Sequence, residues 1–252
     1  MAGKFVRASS QYLINSAPAL PSTGYPLTIG AWFTQDAIAA IEAIVTYSNS
    51  AAGKFGIMTL QVSATGQITA GNAPDAGGTN GATTTGTIST GTWNFAVARL
   101  ITATNRKLAA LFSTGVSEHA SNVTGTAPTG LNNITIGCRN VNASPANFHG
   151  GMIGEVWYTN TDIQADGLAL QDETLRQLAY GGPFSLPHIA KDIIEYRSLR
   201  KHPSSDGDDP NEIFSNAGPQ TWVNTNGATI GEHPPLPYWF VRPGQTMRNL
   251  II

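Results

Sequence analysis

Short runs of alternating character, cut at close intervals by turn residues, limit most what this chain can fold into. In Leu27-Thr28-Ile29-Gly30-Ala31-Trp32-Phe33 the residues Leu27, Ile29, Ala31 and Phe33 recur at period 2, which places them on one face of a β-strand. The run from Trp93 to Leu100 alternates in the same way, with Trp93, Phe95 and Val97 on one side. Further strand-like runs are Phe5–Arg7, Tyr12–Ile14, Ala43–Tyr47, Phe55–Val62, Lys107–Phe112, Ile134–Gly137 and Met152–Tyr158. Between two of them, Ser48 to Lys54 has the Ser/Asn/Gly content of a hairpin end. This spacing of strands and turns predicts an antiparallel β-sandwich.

One segment breaks the rule. Asp172 to Tyr180 has acids in its first turn, where the helix dipole favours them, and Leu175, Leu178 and Ala179 share a face. Gly181-Gly182-Pro183 stops it. The pattern predicts a single short helix lying as a cover on the sandwich. The Gly/Thr/Ala-rich stretch from Asn72 to Gly91 is expected to carry a strand at Thr83–Ile88. Beyond Pro183, Ile193–Leu199 and Gln220–Val223 read as further strands and Ser204–Asn211 as a polar turn. Prolines at 234, 235, 237 and 243 make the last twenty residues extended. The expected organisation is a sandwich over 1–183, additional strands completing or flanking it over 184–232, and an extended apolar tail over 233–252.

Composition narrows the partners. A chain of 252 residues buries a large core without staples, and its single cysteine, Cys138, allows no internal disulfide. Charged residues make up 12%, about half the usual share, and the net charge of −2 with no basic run argues against nucleic acid. No run approaches a membrane span of about 18 apolar residues, and no apolar signal segment precedes Phe5. Synthesis in a cytosol without a cleaved signal is expected.

The order of landmarks carries a resemblance. Phe5-Val6-Arg7-Ala8-Ser9-Ser10-Gln11-Tyr12-Leu13, Leu27 to Phe33, Gly91-Thr92-Trp93-Asn94, Ile134-Thr135-Ile136-Gly137, Phe148 to Val156 and the helix closed by Gly181 together resemble the laminin-G-like jelly roll of the concanavalin A-like superfamily. The likeness covers roughly residues 4 to 183. A second likeness covers the remainder. Ile194–Leu199, the loop Pro203–Pro210, Thr221-Trp222-Val223 and His233-Pro234 resemble the endings of such proteins in tailed bacteriophages. It implies a non-enzymatic virion protein, a capsid decoration or a tail or fibre component, made in a bacterial cytoplasm. Its implied partners are other virion subunits, copies of itself and, through a presented face, a host surface glycan. A carbohydrate-binding adhesion module is the alternative, and a glycoside hydrolase a distant one.

Candidate residues follow from chemistry. A retaining glycosidase needs two carboxylates about 5 Å apart, yet Glu42, Glu155 and Glu195 each stand alone in their strands. There is no Gly-x-Ser-x-Gly elbow and no zinc-like His or Cys spacing, so no catalytic residues are assigned. Sugar binding needs aromatic faces beside amide donors. Asn140, Asn142, Asn147, Phe148 and His149 supply that mixture in one stretch. Asp206, Asp208, Asp209 and Glu212 gather enough oxygen for calcium, though without an EF-hand frame, and a solvated turn is the ordinary reading. No other cofactor is expected. In the tail, Tyr238, Trp239, Phe240, Val241, Leu250, Ile251 and Ile252 are too apolar to stay in water. They either cover an edge strand of their own sandwich or dock on a neighbouring subunit.

Overall fold

In the computed structural model, residues 2–74, 80–164, 168–197, 214–215 and 221–231 are described. Their strands form two antiparallel sheets and a separate two-stranded hairpin. The strands are β1 (Ala2–Phe5), β2 (Tyr12–Asn15), β3 (Leu27–Phe33), β4 (Glu42–Ser48), β5 (Ile57–Val62), β6 (Ile68–Ala73), β7 (Asn80–Thr83), β8 (Asn94–Thr102) and β9 (Asn105–Leu111). They continue with β10 (Ser117–Asn122), β11 (Asn133–Ile136), β12 (Arg139–Val141), β13 (Ser144–Ala146), β14 (Gly151–Thr159), β15 (Glu195–Arg197), β16 (Phe214–Ser215), β17 (Val223–Thr225) and β18 (Thr229–Gly231). Sheet A runs β10-β9-β8-β3-β14-β1-β18, with β15 on β14 and β16 on β15. Sheet B runs β17-β2-β11-β4-β5-β6-β7, and β12-β13 form a separate hairpin. This is the antiparallel sandwich that the alternation predicts, in the jelly-roll form that the resemblance implies.

The period-2 pattern decides which side chains meet. Leu27, Ile29, Ala31 and Phe33 enter the core between the sheets with Val45, Tyr47, Met58, Leu60, Val62, Ile134 and Ile136. The other face of β3 is not in water. Trp32, with Phe95 and Val97 of β8 and Trp157 of β14, builds a second apolar layer under Leu175, Leu178 and Ala179 of helix α1 (Asp172–Gly181) and under Ile189 of the short α2 (Pro187–Ala190). The Trp32 indole N–H donates to the Ala179 carbonyl at 2.8 Å. It thereby satisfies one of the helix's last carbonyls, which have no intrahelical partner.

Strand β14 has to serve two neighbours along one edge. Its first residues pair with β1, Ile153 opposite Gly3, and its later ones with β15, Val156 opposite Arg197. A β-bulge between Gly154 and Trp157 lies where the partner changes. Glu155 takes a left-handed backbone there, with φ 52°, as bulges that re-aim a strand require. The C-terminal strands join both sheets: β17 pairs with β2 in sheet B and β18 with β1 in sheet A.

Several expectations shift in detail. Strands β6 and β10 arise from runs without alternating large apolar residues. The strand expected at Thr83–Ile88 is instead β7, ending at Thr83. The following backbone is drawn off the ladder, because the Thr85 and Gly86 N–H groups donate to the Glu118 carboxylate at 2.9 Å each. Ile88 still reaches the core. Of the strand expected at Ile193–Leu199, Glu195–Arg197 is formed and residues 198–199 lie outside the described residues. No helix among the described residues is long and apolar enough to cross a membrane.

Candidate functional site

The hairpin β12–β13 lies over the outer face of sheet B and is tied to it atom by atom. Val141 opposes Ser144 across a two-residue turn, and both turn residues, Asn142 and Ala143, have positive φ near 53° and 54°. That is the primed turn a right-twisted hairpin needs. Asn tolerates it, and Ala is held there by the anchors around it. Thr135 donates to the Cys138 carbonyl at 2.7 Å and Ser48 to the Asn140 carbonyl at 2.6 Å. The Asn142 N–H donates to the Asn49 carbonyl, and the Asn142 side-chain oxygen accepts from the Gly53 N–H. Val141 packs with Ile57 and Ala73. The loop from Ser48 to Lys54 and the Asn140–His149 stretch are therefore one rim.

The five sugar candidates divide. Phe148 is half-buried with its ring centroid 6.1 Å from that of Tyr12, tilted by 42°. Asn147 beside it is half-buried, and its carboxamide has no partner among the described residues. Asn142 keeps its NH2 group unengaged there. Asn140 and His149 do not belong to the exposed surface. Asn140 is buried and its amide faces Asn133 at 3.4 Å. His149 is buried edge-on to Phe5 with Nδ1 3.3 Å from Glu42. Both are drawn inward because the hairpin's own backbone must be anchored to the sheet. The calcium candidates Asp206, Asp208, Asp209 and Glu212, and the tail candidates Tyr238, Trp239, Phe240, Val241, Leu250, Ile251 and Ile252, lie outside the described residues.

Beside the hairpin, sheet B carries a polar row, buried in the structure, that the alternation alone does not single out. Register aligns Thr135, Thr46, Thr59, Gly71 and Gly81 in one row and Gln61, Thr69 and Thr83 in the next. Thr46 and Thr59 hydroxyls are 3.0 Å apart, as are those of Thr69 and Thr83. Met58, Leu60 and Val62 take the opposite, core-facing positions. Tyr12 was legible, since its neighbour Leu13 is a core residue.

Glu42 holds the rim's inner edge. It accepts from Arg7 at 2.7 Å and from the Gly150 N–H at 2.9 Å. Burial pushes its carboxyl up, but the adjacent His149 ring and the Gly150 N–H outweigh burial and hold it below the usual carboxylate range. A depressed folded-state pKa stabilises fully above the unfolded value, near 4.3 for Glu, and this stabilisation is lost as pH falls through the folded value. Melting temperatures should therefore drop as pH is lowered from about 5 to 3, and Glu42→Gln should flatten that slope. An unchanged slope in the variant would contradict the assignment.

The other two strand carboxylates singled out by the sequence are both buried. Glu195 is buried, accepting from Trp222 at 2.7 Å and from Tyr158 and Arg197. Glu155 is buried at the bulge. No group of three or more His, Cys, Asp or Glu side chains able to hold a metal occurs among the described residues. Burial pushes the Cys138 thiol up to about 12, with Thr135 opposing it weakly, which makes it a poor nucleophile. A cavity of about 120 Å³ opens on the far side of the molecule, on sheet A, lined among others by Arg99, Lys107, His119 and Leu170.

Two antiparallel sheets closed over one core, with a hairpin and loops building a polar rim, define a jelly-roll module of the lectin-like kind. The chain belongs to the Laminin_G_3 family of the concanavalin A-like lectin/glucanase superfamily, whose pattern matches residues 7–167. No curated protein matches the sequence. Among solved structures, it is similar to the CBM40 of the Ruminococcus gnavus IT-sialidase bound to α2,3-sialyllactose. There the identity is 15% and the TM-score 0.50, over 69% of this chain and 95% of that one. A proposed carbohydrate-binding protein of Bacteroides ovatus is 17% identical at TM-score 0.51, over 92% of this chain and 59% of that one. The enzymatically active domain of bacteriophage CBA120 tailspike protein 2 is 13% identical at TM-score 0.50. This chain covers 31% of that one, with 78% of its own length aligned. At these identities the likeness is one of fold.

Proposed function

We propose that this chain is a non-catalytic carbohydrate-binding module whose ligand lies against the Tyr12–Phe148 pair, beside the β12–β13 hairpin. The observation that carries this reading is the half-exposed Tyr12–Phe148 pair beside the unengaged carboxamide of Asn147. Aromatic faces pack on the C–H side of a pyranose while amides and hydroxyls take its oxygens. The sialidase CBM40 and the Bacteroides protein, which share the fold, are described by carbohydrate binding, and this supports the same reading here.

A virion role is compatible with it. The ending that resembles those of tailed-phage proteins, and the fold shared with a phage tailspike domain, support an adhesion module that brings a particle to a host surface glycan. The test is a glycan array probed with the full-length chain. Phe148→Ala should lower the apparent affinity for the best ligand about tenfold or more, the scale of one lost aromatic contact plus its buried area, with the melting temperature little changed. Equal binding by wild type and Phe148→Ala would remove the site from this face.

A further inference from the structure

Strand β10 ends sheet A and is the longest strand edge left open among the described residues. It has six residues, where β7 has four and β17 and β18 have three each. It pairs with β9 over its whole length without a register shift. Where the two strands meet at their turn, the Phe112 N–H donates to the Val116 carbonyl. The ladder bonds to β9 therefore fall on the even-numbered residues of β10. The N–H and C=O groups of Ser117, His119 and Ser121 point the other way, and they meet no partner among the described residues. Natural proteins blunt such an edge with Lys, Pro or a bulge. Strand β10 has none of the three.

Apolar exposure gathers at the same edge. Val123 at 69%, Leu168 at 61% and Val116 at 55% are the most exposed large apolar side chains of the described residues, and the next reach only 43%. Val116 and Val123 bracket the strand. Leu168 precedes Ala169 and Leu170, which wall one cavity together with His119, Ala120 and Ser121. The two ionisable groups of the strand are already engaged. Glu118 accepts from the Thr85 and Gly86 N–H groups, and His119 Nε2 lies 2.6 Å from Asp172.

The order of residues in β10 suits a copy of itself. In an antiparallel pair, outward-pointing residues must meet outward-pointing residues, so a mid-strand two-fold axis falls on His119 or on Ala120. An axis at His119 sets two imidazoles opposite each other. An axis at Ala120 puts the smallest side chain of the strand in the close, non-hydrogen-bonded pair and sets His119 opposite Ser121 of the second copy. It also brings Glu118 opposite Asn122 of the second copy. The Asn122 oxygen accepts from Arg106 and Thr124, and its NH2 group has no partner among the described residues, so it is left to donate to that carboxylate.

We propose that two copies of this chain associate through β10, antiparallel about a two-fold axis at Ala120, and join their A sheets into one. The inference is independent of the carbohydrate reading, because Tyr12 belongs to β2 in the other sheet.

The test is sedimentation of the full-length chain from low to high micromolar protein, with amide exchange followed residue by residue. The mass should double as concentration rises, and exchange at His119 and Ser121 should slow about tenfold or more. Ser121→Pro removes an outward donor from each copy at a position where an edge strand tolerates proline. Its dimer should dissociate about tenfold or more as readily. Should that variant fail to fold, the wild-type exchange decides alone. A monomer at every concentration overturns the proposal, and so it does if the two amides are then protected, because a segment of the same chain covers the edge. A dimer whose His119 and Ser121 amides exchange freely places the contact elsewhere and overturns it equally.

Discussion

Gly30→Ala should destabilise the sandwich by about 3 kcal/mol, the upper part of the range for overpacking a buried site. In a domain of this size that is roughly 6–12 °C in melting temperature. A Cβ at Gly30 would lie 2.2 Å from Trp157 Cε2, 2.3 Å from Cζ2 and 2.5 Å from Nε1. Neither side can give way easily. Gly30 is locked in register with Val97 of β8 and Trp157 of β14, and the Trp157 ring is fully buried in the layer capped by α1. The glycine is there to make room for the indole. A Trp157→Leu change, harmful alone, should therefore recover part of the loss when combined with Gly30→Ala, and the double-mutant cycle measures that coupling. Gly53→Ala is the control. Its φ of +75° carries only a backbone cost of about 1 kcal/mol, because nothing lies within 4 Å of the added methyl. Equal losses at the two glycines would show that the Trp157 contact is not what matters at position 30.

Removing the Glu195 carboxylate should cost still more, about 3–5 kcal/mol, the range for breaking one side of a buried charged cluster. Three donors converge on it inside the sandwich: the Trp222 indole at 2.7 Å, the Tyr158 hydroxyl and the Arg197 guanidinium. Arg197 also lies over the Trp222 ring at 4.7 Å. Burial pushes the Glu195 carboxyl up, while Arg197 and the hydrogen bonds from Tyr158, Arg197 and Trp222 oppose it. Glu195→Ala withdraws the shared acceptor and leaves those donors facing an emptied position. The damage should be local first. Trp222 anchors the segment carrying β17 and β18, which pair with β2 and β1. Amide exchange in 221–231 should accelerate far more than in β3 or β8. Glu195→Gln, which keeps one acceptor oxygen, should fall between wild type and Ala. Unchanged exchange in 221–231 for the Ala variant would mean that Trp222 is held by packing alone.

These two positions also show where sequence reading reaches its limit. Leu27, Ile29, Ala31 and Phe33 revealed their common face because one side of β3 enters the core at period 2. The other side gave a weaker signal, since Gly30 and Trp32 meet a second apolar layer that only the helix cover explains. Strand β10, Ser117–Asn122, carries no large apolar residue; its place is set by pairing with β9 from Leu111 back to Arg106. The stretch Asn140–His149 was legible as a mixture of amides and aromatics, but not as a hairpin. Ala143 stands where a glycine would have announced the turn, and Pro145 sits in the outer strand. For the same reason Asn140 and His149 could not be told from surface residues. Their inward direction is fixed by Ser48, Asn133 and Glu42, which are remote in sequence.

The most direct measurement is a crystal structure of the full-length chain soaked with its best array ligand. The account predicts a sugar ring against Tyr12 and Phe148, with polar atoms within hydrogen-bond reach of Asn147. A ligand seated instead in the sheet A cavity beside Lys107 and His119, or none bound at saturating concentration, would contradict it.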